Sequence, residues 1–244
     1  MTIIRKVLLT FMLLLPVLAA AQDDAAVYMQ QAGGSALLFR GHRAHGYPQP
    51  FNGTFYWEGP GFKDGAVRYN GKHYENLQLN VDAVRQDLIV RTPSGGDGKV
   101  LEGDYVESFM MGGHQFLHLR NLYGGEAPAG YWEVLYDGRA KVLKQVVRIL
   151  QKDLNGSMRS SMGYDGEYRE GVHNIFVYQE KYCYMAEDGT LVPLRSRSQL
   201  MRFYKNHKRE INRHISNLES SRRLSMERYC TEVVKYAEKL AEKL

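Results

Sequence analysis

The sequence predicts a mainly β protein with a pair of amphipathic helices at its C-terminal end, and therefore an α+β chain overall. Short apolar segments recur between Asn-Gly, Gly-Gly and Asp-Gly turns. The chain is rich in tyrosine, with 17 residues, and tyrosine favours half-buried pleated surfaces. Strands and helices do not alternate, so we expect an antiparallel meander, a sandwich or an open barrel rather than a doubly wound sheet.

Residues 1–21 have the pattern of a secretory signal peptide. Arg5 and Lys6 precede an apolar run over residues 7–18, and a small-residue cleavage motif ends at Ala21. The run is short for a membrane span, although a retained anchor is the alternative interpretation. No second apolar run approaches the length of a span. We therefore expect a chain exported to the periplasm or associated with the outer membrane, with no transmembrane segment in its mature form.

Residues 22–194 are predicted to form a β-rich body, and its clearest strand pair surrounds Asn70-Gly71. A type I′ turn needs positive φ at both central residues, which these two residue types tolerate. The following strand alternates between apolar and polar side chains with a period of two. The apolar positions are Leu77, Leu79 and Val81, and the polar ones are Gln78, Asn80 and Asp82. We interpret the polar row as the water-facing side of a sheet, not as a site.

Further strands are expected downstream. The segment 100–111 is predicted to be one strand, followed by a turn at Gly112-Gly113. Asp137-Gly138 is predicted to join strands over 132–136 and 140–150, and Asp188-Gly189 to join two more.

Residues 195–244 are predicted to form a basic helical tail that packs on the body. Ser196-x-x-Gln199 has the form of a capping box. Apolar residues then recur at helical spacing on both sides of a polar break at Ser220-Ser221. The apolar positions are Leu200, Tyr204, Ile211, Ile215, Met226, Tyr229, Val233, Tyr236 and Leu240.

Charge is divided unevenly between these regions. Residues 22–194 hold 17 Lys+Arg and 21 Asp+Glu, a net charge of −4, whereas residues 195–244 hold 13 and 6, a net charge of +7. A basic tail of this kind can bind nucleic acid, anionic lipid or an acidic protein surface. Because export separates the chain from nucleic acid, an envelope protein or an anionic membrane surface is the expected partner.

Two cysteines follow the signal segment, Cys183 in a predicted strand and Cys230 in a predicted helix. Export permits a disulfide between them. The alternative is two buried, reduced thiols.

No motif predicts a catalytic, cofactor-binding or metal site. His42 and His45 lack the further ligands that a zinc site needs. His114 and His118 lie four residues apart on a predicted strand, about 13 Å, which is too far for one metal ion. The glycine-rich segment 94–99 lacks the spacing of a phosphate-binding loop. Asp104 and Glu107 could act as paired acids only across a cleft, which the sequence does not predict.

Several segments carry a resemblance to an uncharacterised family of exported envelope proteins of Bacteroidetes-type bacteria. They are "VRYNGKHYENLQLNVDAVRQDLIV", "GYWEVLYDGRAKVLKQ", "YCYMAEDGTLVPLRSRSQLMRFYKNHKREINRHI" and "VVKYAEKL". The resemblance implies an envelope location and a β body with a helical tail, and it brings no activity, ligand or catalytic residue.

These observations favour a non-enzymatic envelope protein that acts as an interaction or assembly module. The alternative is a small-ligand or glycan-binding protein, or a hydrolase that acts on envelope material, for which the tyrosine-rich sheet and the loops around His42 and Gly163 are the motivation.

Overall fold

A computed structural model describes Val27 and residues 36–96, 98–120, 127–153, 171–219 and 222–242. The predicted signal segment, the loop around Gly163 and the break at Ser220-Ser221 lie outside these residues. The described part contains ten strands in antiparallel arrangement and a few C-terminal helices, which confirms the predicted class. The described strands form an open sheet.

The chain divides into two compact units. The described residues of the first unit lie within Met1–Gly46, Gly61–Asn80 and Leu88–Gly113. Its strands follow the order β5-β1-β2-β3-β4. They are β1 (Lys63–Tyr69), β2 (Lys72–Asp82), β3 (Asp87–Val90), β4 (Lys99–Val100) and β5 (Val106–Met111), and the last residues of β2 and the first of β3 belong to the second unit.

The predicted turn at Asn70-Gly71 joins β1 to β2. Both residues have positive φ, 51° and 73°, as the type I′ interpretation requires. Apolar side chains on one face of β2 are buried as predicted, with Leu77 and Leu79 at the core of this unit.

The prediction of one continuous strand over 100–111 is wrong. A single turn of 3-10 helix over Gly103–Tyr105 separates β4 from β5. The Tyr105 carbonyl accepts the Asn70 amide at 2.8 Å, and the Tyr105 ring lies edge-on to Tyr69, with ring centroids 5.8 Å apart. The 3-10 turn therefore brings Tyr105 into contact with the β1–β2 turn. No local sequence pattern predicts this contact.

The second unit lies within Tyr47–Pro60, Val81–Asp87 and His114–Leu244. Its strands follow the order β10-β9-β8-β7-β6. They are β6 (His114–Leu119), β7 (Gly130–Asp137), β8 (Lys141–Lys152), β9 (Asn174–Met185) and β10 (Leu191–Leu194). The helices are α1 (Arg197–Met201), α2 (Lys208–Leu218) and α3 (Met226–Ala241). The hairpins expected at Asp137-Gly138 and Asp188-Gly189 are both present. Asp137 is the last residue of β7, so the first chain reversal covers residues 138–140, whereas Asp188-Gly189 lies between β9 and β10 as predicted.

The helices cover one face of this sheet. Ile211 and Ile215 of α2 and the apolar stripe of α3 pack with Val142, Tyr182 and Tyr184 in one buried cluster. A separate cluster holds Trp132, Leu143 and Cys183. The amphipathic pattern of the C-terminal segment thus predicts the packing face correctly, because the apolar residues of a surface helix turn toward the core.

The first predicted helix is interrupted. After α1 the chain leaves the helical path at residues 202–204 and forms a 3-10 turn over Lys205–His207 before α2. The interruption places two aromatic residues against Tyr184. Phe203 stacks on its ring with centroids 4.6 Å apart, and the Tyr204 hydroxyl donates to the Tyr184 hydroxyl at 3.2 Å.

Candidate functional site

The polar row of β2 is not a water-facing strip. Gln78 is half-buried, but Asn80 and Asp82 are each only 1% exposed. The prediction of a wet face is therefore wrong for these two residues. Asn80 lies in the first unit, where its side-chain amide donates to the Gly61 carbonyl at 3.1 Å. The alternating pattern of β2 predicted that Asn80 would hydrogen-bond to water. The Gly61 carbonyl, in the segment before β1, accepts that hydrogen bond instead.

Asp82 is buried in the second unit by a folded turn. Its carboxylate accepts the Tyr47 hydroxyl at 3.1 Å and the backbone amides of Val84 and Arg85 at 2.9 and 3.1 Å. Desolvation raises the pKa of Asp82, and these donors lower it only in part. Tyr47 belongs to an aromatic cluster with Phe51, Phe55 and Phe176. Asp82 therefore closes the turn after β2 and holds Tyr47, which is a structural role.

A second polar group links β6, β7, β8 and α3. His114 Nδ1 lies 2.7 Å from Glu133 Oε1, and Lys144 Nζ lies 2.8 Å from Glu133 Oε2 and 2.9 Å from Glu227 Oε2. Glu133 is 4% exposed, so the Lys144 ammonium and the His114 ring take the place of water at its carboxylate. Burial lowers the pKa of Lys144, but the two carboxylates outweigh this effect and the pKa is raised. The network joins the helical layer to the sheet.

The other histidines weighed from the sequence do not form a cluster. His42 and His45 are both exposed. The ring of His118 packs on Tyr131, with centroids 4.8 Å apart. Within the described ranges, no group of three or more His, Cys, Asp or Glu residues could hold a metal ion.

Cys183 and Cys230 are both free and fully buried. Burial raises the pKa of each thiol to about 12, so neither is a thiolate near neutral pH. Glu107 is paired with Arg68 at 2.7 Å and accepts the Gly71 amide at 2.8 Å, which occupies its carboxylate at the β1–β2 turn. Asp97, in the glycine-rich segment, lies outside the described residues.

The feature that stands apart is a basic helical surface on α2 and the turns before it. Five bases are exposed there, and in the part of the chain that the structure describes none of them makes an ion pair. They are Arg202, Lys205, Lys208, Arg209 and Arg213. Arg209 and Arg213 lie one turn apart on the side of α2 opposite the buried Ile211 and Ile215.

Arg197 shows the contrast with this surface. Its guanidinium lies 2.6 Å from Glu219 and 4.5 Å above the Tyr229 ring. This half-buried base therefore has a structural role between α1 and α3, whereas the bases of the basic helical surface face solvent. The sequence shows the charge bias of the tail, but only the structure shows which of its bases have no ion-pair partner among the described residues.

None of the helices among the described residues has the length and apolar character needed to cross a membrane. No protein-family model, curated protein or solved structure matches this chain. The resemblance to exported envelope proteins therefore stays a prediction.

Proposed function

We propose that this chain is a non-enzymatic exported protein of the cell envelope that acts as an interaction or assembly module. The basic helical surface is its docking element, and an acidic face of an envelope protein is the partner. The single observation that supports this function is the set of exposed, unpaired bases on α2 and the preceding turns. The secretory pattern of residues 1–21 supports the location.

Physical chemistry favours a docking role for these bases. Five like charges close together repel one another, and a partner with complementary charge removes that cost. Charged patches of this kind accelerate encounter and select partners more than they add to affinity. Salt screens such an interaction over about 10 Å at 0.1 M, so capture of the partner should weaken as salt rises.

The test is a charge reversal of the basic helical surface. The variant Arg202→Glu, Arg209→Glu, Arg213→Glu is compared with the wild type by crosslinked capture from native envelopes and mass spectrometry. A matched control reverses the exposed bases Arg40, Lys72 and Arg139, which gives the same net charge. A second control replaces the three arginines of the surface with lysine and so keeps their charge.

We expect a stoichiometric envelope protein in captures with the wild type and both controls, and its loss with the charge-reversed variant. Equal capture by the charge-reversed variant would contradict the docking role. If the same variant instead loses binding to anionic vesicles while no protein partner is found, the membrane surface is the partner and the protein-docking proposal is wrong.

A further inference from the structure

Part of β9 has an open hydrogen-bonding edge. β9 pairs with β8 along its whole length, from Asn174 to Met185. On its other side β10 covers only the stretch from Tyr182 to Met185. At the far end, Asn52 exchanges backbone hydrogen bonds with Asn174 and Phe176 at 2.8 and 3.0 Å. Between these covers lies the stretch 177–181, here called the β9 open edge.

The outward groups of this edge can be assigned from its neighbours. The N–H and C=O of one strand residue point to the same side, and successive residues alternate. Asn174 and Phe176 direct theirs toward Asn52, away from β8. Tyr178 and Glu180 therefore direct their N–H and C=O groups to the same open side. Within the described residues these four groups have no backbone partner, and such an edge is a template for another strand.

A cavity of about 500 Å³ adjoins the β9 open edge where β10 ends. Its size falls in the range of ligand pockets, roughly 300–1,000 Å³. Residues of β7, β9, β10 and α3 and the segments beside them form its wall. They are Pro128, Trp132, Glu180, Lys181, Tyr182, Pro193, Leu194, Arg195 and Met226.

The charged residues of this wall are not equivalent. Glu180 accepts the hydroxyl of Tyr178 at 2.5 Å and that of Tyr182 at 2.6 Å, so both its carboxylate oxygens are engaged. Lys181 and Arg195 are exposed, and in the described portion of the chain neither has an ion-pair partner. Glu180 is exposed too and keeps its negative charge, so the mouth of the cavity carries two positive charges and one negative charge, a net positive charge.

We propose that the β9 open edge binds an extended peptide segment of a partner protein by strand addition. The segment places one large apolar side chain in the cavity and an acidic side chain against Lys181 and Arg195. Backbone pairing supplies general affinity in this mode, and the pocket selects the side chain. This site is distinct from the basic helical surface and does not depend on the docking role of that surface.

The first test uses a fluorescein-labelled peptide, acetyl-Thr-Glu-Val-Phe-Val-Glu-Thr-amide, with the full chain. Binding is followed by anisotropy, and amide hydrogen exchange is followed by NMR. We expect saturable binding with slowed exchange at Tyr178 and Glu180. Replacing the peptide's Phe with Ala, or both Glu with Lys, should each weaken binding about tenfold, the equivalent of about 1.4 kcal/mol.

Protein variants then separate backbone pairing from charge. Glu180→Pro removes an outward N–H and leaves the ladder to β8 intact, and should abolish binding, whereas Glu180→Gln keeps the N–H and should bind. Lys181→Glu with Arg195→Glu should prefer the lysine peptide over the original one, a gain that unfolding could not produce. Circular dichroism establishes that each variant is folded.

Three outcomes would overturn the proposal. One is the absence of saturable binding by the wild type. Another is binding that leaves exchange at Tyr178 and Glu180 unchanged, which would place the peptide elsewhere. The third is concentration-dependent protection of these amides in the free protein, which would assign the edge to a second copy of this chain. The variant with a charge-reversed helical surface serves as a further control and should bind the peptide as the wild type does. Failure of the docking proposal and failure of the strand-addition proposal can therefore be told apart.

Discussion

The buried carboxylate of Asp82 shows how single residues depart from the strand pattern. Its position in an alternating strand predicts contact with water, yet Tyr47 and the amides of Val84 and Arg85 replace that water. A local clue existed, since an aspartate two residues before a turn often accepts the amides of that turn. Tyr47, 35 residues earlier, gave no such clue.

The raised pKa of Asp82 predicts a pH dependence of stability. Because the native state binds this proton more tightly than the unfolded state, the free energy of unfolding falls as pH rises from the ordinary aspartate pKa through the raised one. Asp82→Asn removes this contribution. Urea unfolding of both proteins across this range should show the wild type gaining stability relative to the variant as pH falls. A difference that does not vary with pH would contradict the prediction.

Gly130 has a conformation that predicts a large cost for any side chain. Its φ is 129°, and a β-carbon there would lie 2.5 Å from the Gln145 amide nitrogen and 2.7 Å from the Gln86 side-chain oxygen. Gly130→Ala should lower the free energy of unfolding by roughly 2 kcal/mol or more, from backbone strain and disturbed hydrogen bonds. Gly189→Ala is the control, because its φ is also positive but its surroundings are open. If both variants lose the same free energy of unfolding in urea, the Gln86 and Gln145 side chains move aside at no cost, and the prediction is wrong.

At the level of elements, the Glu238 side chain links α3 to the turn between β7 and β8 by hydrogen bonds. Glu238 accepts the Tyr136 hydroxyl and the Ala140 amide, each at 2.8 Å. Burial and this carboxylate raise the pKa of Tyr136 to about 12. The register of α3 on the sheet thus depends on a polar contact as well as on its apolar stripe.

Glu238→Ala should destabilise the protein by about 1–3 kcal/mol, because the Ala140 amide loses its acceptor. Lys235→Ala, an exposed change on the same helix, should stay within about 0.5 kcal/mol of the wild type. Thermal or urea unfolding measures both. A Glu238→Ala loss no larger than that of the control would mean that water replaces the carboxylate.

At the scale of the whole molecule, the C-terminal helices are part of the second unit and not an appendage. They share one buried cluster with Val142, Tyr182, Tyr184 and Leu194. Each of these side chains contributes about 1.5–3 kcal/mol on burial, so exposing all four approaches the whole stability of a typical domain, about 5–15 kcal/mol.

Deletion of residues 195–244 should therefore abolish cooperative folding, and the product should aggregate or bind a hydrophobic dye. Gel filtration and circular dichroism measure this outcome. The charge-reversed helical surface is the matched comparison, since it alters only exposed side chains and should leave the unfolding transition in place. A monomeric truncated protein with native strand content would contradict the packing role.

The sequence by itself determined the turns, the mainly β class and the packing face of the C-terminal helices. These properties depend on local chemistry: Asn70-Gly71 tolerates positive φ, and the apolar stripe of α3 repeats with the period of a helix. Only the tertiary structure decided that Asn80 and Asp82 are buried, that the first helix is interrupted where Phe203 and Tyr204 contact Tyr184, and that His114, Glu133 and Lys144 meet. Each of these depends on segments far apart in sequence, because burial is set by whatever distant segment covers a residue.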